Sequence, residues 1–216
     1  MFPEIDRLTE ELIGVGNYLA TRGFHAGLAG NISARLDRQH IICTRHGANK
    51  EALTQGNFVV CDLAGQKISG DGDPTSELQM HLAAYRSRDD VRAVVHAHPV
   101  AATAFAATST PLKDLSLPEM IVLLGPIALV PYATPGTKDL GNNLSRFLKE
   151  HDAFLLENHW ALTVGESPRQ AAYRMELLEQ NAKITLLSKQ LGALYVLNVE
   201  DKAQLDEIRS SMRSWG

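Results

Sequence analysis

Cysteine is scarce: the 216 residues hold only Cys43 and Cys61. Two thiols beside apolar neighbours cannot staple a small scaffold, which excludes a disulfide framework. A basic excess is missing as well. Lys and Arg total 21 against 25 Asp and Glu, a net charge of −4, and the broad positive footprint of a general nucleic-acid binder is absent. No apolar run approaches the ~18 residues of a membrane span, and no positively charged start leads into an apolar stretch. The expectation is a cytoplasmic protein with no nucleic-acid and no membrane partner. What is present suits a globular chain: 44% apolar and 21% charged residues suffice to bury a full core. The length predicts a single domain, and no repeat, low-complexity tract or linker interrupts it.

Hydrophobic spacing places the elements. Ile5, Leu8, Leu12, Ile13 and Leu19 predict a first helix over roughly residues 4 to 21, stopped at Arg22-Gly23. Gly27, Gly30 and Asn31 predict an irregular turn before Ile32. Short strands are predicted over His40–Thr44 and Phe58–Asp62, with Ala64-Gly65-Gln66 as a hairpin connection into Lys67–Ser69. After the breaker Asp71-Gly72-Asp73-Pro74, Thr75 and Ser76 are placed as caps of a helix whose inner face is Leu78, Leu82 and Tyr85. Further strands are expected at Arg92–His98, Ile127–Val130, Ala153–Glu157 and Ala161–Val164. Helices are expected after Pro99, along Leu140, Leu144, Phe147 and Leu148, and from Ser167-Pro168 to Leu191 with Gly192 as its stop. The tail closes on a weaker amphipathic segment. Strands alternating with helices predict an α/β domain, and alternation taken alone suggests a parallel sheet.

Three of the eight histidines stand where a metal ion could use them. In Val94-Val95-His96-Ala97-His98, strand alternation puts His96 and His98 on one face, about 6.6 Å apart. His159 follows another apolar strand and offers a third imidazole. Three histidines with an open fourth position is the donor set of a catalytic zinc site. The ordinary alternative is that each is satisfied locally, which is the expectation for His25, His40, His46, His81 and His151. Glu77 opens a predicted helix, where the helix dipole favours negative charge. Beside a metal it becomes a candidate general acid or base. Thr75, Ser76 and the Gly30-Asn31 turn add hydroxyl, amide and backbone donors of the kind that cradle an anion.

Together these residues resemble the class II aldolase/adducin family, the group that includes L-fuculose-1-phosphate aldolase. The resemblance spans roughly residues 8 to 192 and rests on Ala29-Gly30-Asn31-Ile32-Ser33, Thr44-Arg45-His46-Gly47, Thr75-Ser76-Glu77, Val95-His96-Ala97-His98, Pro131-Tyr132 with Pro135-Gly136-Thr137, and Asn158-His159. It implies a single three-layer α/β/α domain around a mostly antiparallel sheet. It also implies a homotetramer, with residues 193–216 forming a tail that reaches a neighbouring subunit. His96, His98 and His159 would hold Zn2+, with Co2+, Mn2+ or Fe2+ open to the same donors. Glu77 would transfer the proton, and Gly30, Asn31, Gly47, Thr75 and Ser76 would bind the phosphate of a small phosphorylated sugar. The implied activity is aldolase-type cleavage of a carbon–carbon bond through an enediolate. No Schiff-base lysine is needed, in keeping with the lack of a convincing buried lysine in the sequence.

Four departures bear on the substrate. Arg45-His46 stands where the family often has Pro-Thr, so His46 replaces a phosphate-binding hydroxyl. Trp160 follows His159 where the aldolases commonly have glycine. No tyrosine occurs over Ser116–Met120, where Glu119 is the nearest titratable group. The tail holds Trp215 but no tyrosine after Tyr195. Alternatives are therefore a sugar-phosphate epimerase, dehydratase or decarboxylase on the same scaffold, or a non-catalytic adducin-like module. Glu77 speaks against the epimerases, which tend to have aspartate there. The full set of three histidines and Glu77 speaks against the module.

Overall fold

The computed structural model describes residues 4–113, 117–192 and 194–213. Helix α1 (Ile5–Thr21) leads into strands β1 (Asn31–Arg35), β2 (His40–Thr44), β3 (Phe58–Asp62) and β4 (Lys67–Ser69). Helix α2 (Leu78–Ser87), strand β5 (Ala93–Ala97) and helix α3 (Val100–Ala107) follow. A π-helical stretch, Met120–Leu124, precedes β6 (Ile127–Val130), α4 (Lys138–Ser145), β7 (Ala153–Leu156), β8 (Ala161–Gly165), α5 (Pro168–Leu191) and α6 (Val199–Arg213).

All eight strands form one sheet in the order β4-β3-β2-β1-β5-β8-β7-β6. Only β6 and β7 run parallel; the other pairs are antiparallel. The parallel sheet suggested by alternation is thus corrected to the mostly antiparallel one that the family resemblance implies. The reason lies in the connections. Tight hairpins join β1 to β2, β3 to β4 and β7 to β8, and a hairpin reverses the chain. A helical crossover joins sheet neighbours only between β6 and β7, through α4.

Strand alternation divides the core between the two faces of the sheet. Ala93, Val95 and Ala97 of β5 meet Leu12 and Leu19 of α1, Phe105 of α3 and Met175 of α5. Val94, with Cys43, Phe154 and Leu162, meets Leu78, Leu82, Leu140 and Leu144 of α2 and α4. The result is the three-layer α/β/α arrangement. The buried inner face of α2, Leu78, Leu82 and Tyr85 with His81 beside them, matches its sequence pattern. Ser167 caps α5 as predicted, accepting the Gln170 N–H at 3.1 Å, and both cysteines are free and buried.

Three local expectations change. Asn31 is the first residue of β1, not part of the turn before it, because it pairs with His96 of β5. Thr75 and Ser76 do not cap α2: the N-cap is Glu77, with no side-chain cap bond, and Thr75 Oγ1 instead accepts the Glu77 N–H at 3.3 Å. Helix α4 ends at Ser145, so Phe147 and Leu148 pack from the turn behind it. In the tail, α6 packs on the Met120–Leu124 segment of its own chain, and Arg209 reaches Asp152 at 3.4 Å. Ser116 and Trp215 lie outside the described residues. No helix among the described residues is long and apolar enough to cross a membrane.

Candidate active site

The site forms where the ends of β1 and β5, the start of α2 and the β7–β8 hairpin converge. His96 is the fourth residue of β5 and completely buried. Its Nδ1 lies 2.9 Å from the carbonyl oxygen of Ala161. A carbonyl only accepts, so Nδ1 carries the proton, and a neutral ring presents the Nε2 lone pair. That atom faces Glu77 Oε2 at 3.2 Å. His159, held in the hairpin by the left-handed backbone of Asn158 (φ 50°), brings its Nε2 to 3.1 Å from Glu77 Oε1.

Glu77, His96 and His159 each offer a ligand atom within 4.8 Å of the others. His96 Nε2 and Glu77 Oε1 are buried without hydrogen-bond partners. The lone pair of His96 Nε2 faces Glu77 Oε2 at 3.2 Å, and two acceptors so placed in a desolvated pocket repel unless a cation lies between them. This donor set therefore fits a divalent metal ion of the zinc type, borderline-soft and tolerant of nitrogen and oxygen ligands.

His98 stands close by but outside this tight group. Strand β5 ends at Ala97, so alternation no longer fixes its side chain, and its backbone N–H donates to Phe24 O at 2.8 Å. Its ring centroid is 5.5 Å from that of His96. The Trp160 ring stacks on it at 3.6 Å and 7°, so the tryptophan fills the space beside the histidines. Burial, then the proximity of His96 and His159, hold the His98 imidazole down at about 3. It is neutral at physiological pH, the form that ligates metals. For Glu77, burial acts to raise the carboxyl. The neighbouring His96, then His159 and the Asn31 donor, outweigh it and hold the group well below the usual carboxylate range.

Above these residues opens a cleft of about 460 Å³ lined by Gly30, Asn31, Gly47, Thr75, Ser76, Glu77, His98 and His159. Of the metal, proton-transfer and phosphate-site candidates from the sequence, His96 alone does not line it and lies fully buried. Two turns build one wall of it. The Thr44–Gly47 turn is zipped to the Asp73–Thr75 segment by His46 N–H to Asp73 O at 2.8 Å and Thr75 N–H to Thr44 O at 3.2 Å. Gly47 has φ 69° and open space where a side chain would begin.

Gly30 is different. Its φ is 82°, and an added Cβ would stand 2.9 Å from His96 O and 3.0 Å from His25 Nδ1. Gly30→Ala should lower stability by about 1–3 kcal/mol and weaken metal binding by displacing the His96 backbone. Thermal melts with and without added zinc would register both effects; an unchanged melt and an unchanged metal increment would contradict it.

Several residues of the site were not predicted. Arg45 and Lys50 line the cleft. The expected lack of a buried lysine is corrected by Lys50, only 2% exposed, whose ammonium donates to Leu28 O and, at 2.7 Å, to Ala48 O. Burial lowers it to about 8. The flanking Asn49 and Glu51 gave it the look of a surface lysine; its burial comes from the Leu28 loop folding over it. His25 is not locally satisfied as expected, since both ring nitrogens are buried without partners. His40 and His151 are satisfied, by Asp37 and by Phe147 O. Glu119 and Tyr132 do not line the cleft.

A family model described as the class II aldolase and adducin N-terminal domain matches residues 10–186. The chain belongs to the class II aldolase and adducin family. It is 32% identical over 204 residues to a 3-oxo-tetronate 4-phosphate decarboxylase from Pectobacterium atrosepticum, covering 92% of each chain. It is 35% identical over 181 residues to an L-fuculose phosphate aldolase from Methanococcus maripaludis, covering 84% of this chain and 97% of the relative. A solved L-fuculose 1-phosphate aldolase shares the fold with a TM-score of 0.87 at 34% identity, covering 93% of this chain and 95% of that one. Class II aldolases are metal-dependent, and Glu77, His96 and His159 make a possible metal site in this member of the family.

Proposed function

We propose that this chain is a metal-dependent carbon–carbon lyase, aldolase in type, acting on a small phosphorylated keto sugar. His96, His98 and His159 are its metal ligands and Glu77 its proton-transfer group. The observation that carries this reading is the Glu77 carboxylate between two imidazole Nε2 atoms, at 3.2 and 3.1 Å, on the floor of the cleft. Zinc is the proposed ion, with cobalt, manganese and iron compatible with the same donors. When bound, it supplies Lewis-acid stabilisation for negative charge on the substrate's carbonyl and adjacent hydroxyl oxygens.

The remaining work falls to side chains and backbone. Gly30, Asn31, Gly47, Thr75 and Ser76 hold the phosphate and so fix which substrate carbon faces Glu77. Breaking the bond beside the carbonyl–hydroxyl pair leaves an enediolate. In cleavage the hydroxyl on the far carbon loses its proton as it becomes the aldehyde, and Glu77 passes a proton to the donor carbon; in synthesis Glu77 removes that proton and the aldehyde oxygen regains one. Asn31 Nδ2 donates to Oε2 at 2.8 Å, which leaves Oε1, the oxygen without a hydrogen bond, to carry the proton.

The two kinds of relative suggest the same half-reaction. Aldol cleavage of an L-fuculose 1-phosphate and loss of carbon dioxide from a 3-oxo-tetronate 4-phosphate both leave the enediolate of dihydroxyacetone phosphate. Decarboxylation is the second reading, and Arg45 favours it. This cation lines the cleft with its Nε buried and unpartnered, which suits a substrate bearing a carboxylate besides its phosphate.

The proposed assembly is a homotetramer of single-domain subunits in the cytoplasm, with the 193–216 tail at a neighbouring subunit. Two assays on the metal-replete protein test the activity. One follows condensation of dihydroxyacetone phosphate with small aldehydes; the other follows carbon dioxide release from 3-oxo-tetronate 4-phosphate. One of them should proceed, and neither doing so with metal bound would overturn the proposal.

A further inference from the structure

We propose that His81 is the positioning residue for Glu77, acting through Asn31 at one end of a buried hydrogen-bond ladder that begins at Tyr85. Two periodicities build this ladder. Glu77, His81 and Tyr85 are spaced four apart and share one face of α2, whereas Asn31 and Ser33 are spaced two apart and share one face of β1. Where helix and strand meet, the two sets interleave. Tyr85 Oη lies 2.8 Å from Ser33 Oγ, and Ser33 Oγ lies 2.6 Å from His81 Nδ1. His81 Nε2 bonds Asn31 Oδ1, and Asn31 Nδ2 donates to Glu77 Oε2 at 2.8 Å. Ser33 and His81 are 0% exposed, Tyr85 1% and Asn31 5%, so water does not compete with these bonds.

Chemistry gives the ladder a single direction. An ionised carboxylate only accepts, so the Asn31 amide must turn its NH2 toward Glu77 and its Oδ1 toward His81. That oxygen also only accepts, so His81 must carry its proton on Nε2. Neutral His81 then accepts at Nδ1 from the Ser33 hydroxyl, which in turn accepts from Tyr85. Burial, then the proximity of His96, lower His81 to about 3, in keeping with the neutral ring this pattern requires.

The consequence lies at Glu77. An asparagine free to rotate could present Oδ1 to the carboxylate and repel it. With His81 holding Oδ1, Oε2 keeps its donor and the carboxylate keeps its orientation. His81 does not line the cleft, so it acts on Glu77 without touching substrate.

This inference rests on the proton-transfer role proposed for Glu77, and its test has one arm independent of that role. Long-range proton–nitrogen spectra of the full-length protein labelled on histidine nitrogen, with the His81 signals assigned by their loss in His81→Gln, report the tautomer directly. The ladder predicts a neutral ring protonated on Nε2 at neutral pH. A ring protonated on Nδ1, or an imidazolium, would overturn it.

The second arm measures deuterium exchange into dihydroxyacetone phosphate. His81→Leu should lower kcat on the order of 10- to 100-fold with KM and bound metal unchanged. His81→Gln, which keeps an N–H for Asn31, should recover most of the rate. Equal loss in both variants, a kcat within twofold of wild type in His81→Leu, or loss of metal alongside rate would each overturn the positioning role. A wild type that exchanges no deuterium would count against the proposed function, and the tautomer would still decide the ladder.

Discussion

Glu77→Gln should keep its metal and lose deuterium exchange into dihydroxyacetone phosphate by roughly 10²- to 10⁴-fold, the scale of a positioned general acid–base group. Glutamine preserves the shape and an oxygen for the Asn31 donor, but its amide cannot take up and return a proton. The three histidines that are the proposed ligands are untouched, so zinc content measured by elemental analysis should match wild type. The substitution also puts an NH2 among imidazoles where a carboxylate stood. KM should shift far less than kcat, because the proposed phosphate site, the Thr44–Gly47 turn with Thr75 and Ser76, is left intact. Full exchange in Glu77→Gln would contradict the assignment and point to another base in the cleft.

His96→Ala should be more severe, removing metal and activity together. This imidazole is pinned by Nδ1–H to Ala161 O and presents Nε2 toward Glu77 from a fully buried position. Truncation also leaves the Glu77 carboxylate in a desolvated space with one partner fewer, which costs more than the contact alone. His98→Ala should likewise strip the metal. There the loss of stacking on Trp160 adds a cavity beside His159. Metal content after dialysis reads both variants, and stoichiometric metal in either would remove that histidine from the ligand set.

The positions of His96 and Glu77 were legible locally, His96 from strand alternation and Glu77 from the breaker that opens α2. The roles given to them, to His98 and His159 and to the glycine and hydroxyl turns came from the family resemblance, because singly each pattern has an ordinary structural reading. What stayed hidden depends on distant segments meeting. Lys50 is polar among polar neighbours in sequence and becomes buried only when the Leu28 loop closes over it. The spacings Glu77, His81, Tyr85 and Asn31, Ser33 are plain in the chain, yet nothing local says that these two faces interleave. The cap assigned to Thr75 and Ser76 was displaced because pairing with the Thr44–Gly47 turn holds the chain as far as Thr75, and a turn at Ser76–Glu77 then leads into α2. Sheet direction was misjudged by alternation alone, since hairpins outnumber helical crossovers between neighbouring strands.

Deuterium exchange into dihydroxyacetone phosphate by the metal-replete wild-type protein, followed by NMR with a chelator control, tests the central claim without any assumption about the second product. Loss of the donor-carbon proton signal that stops on chelation and returns with zinc is the predicted result, whether the physiological bond broken is an aldol or a carboxylate one. A protein shown to hold its metal that leaves that signal untouched would contradict the enediolate half-reaction on which both proposed activities rest.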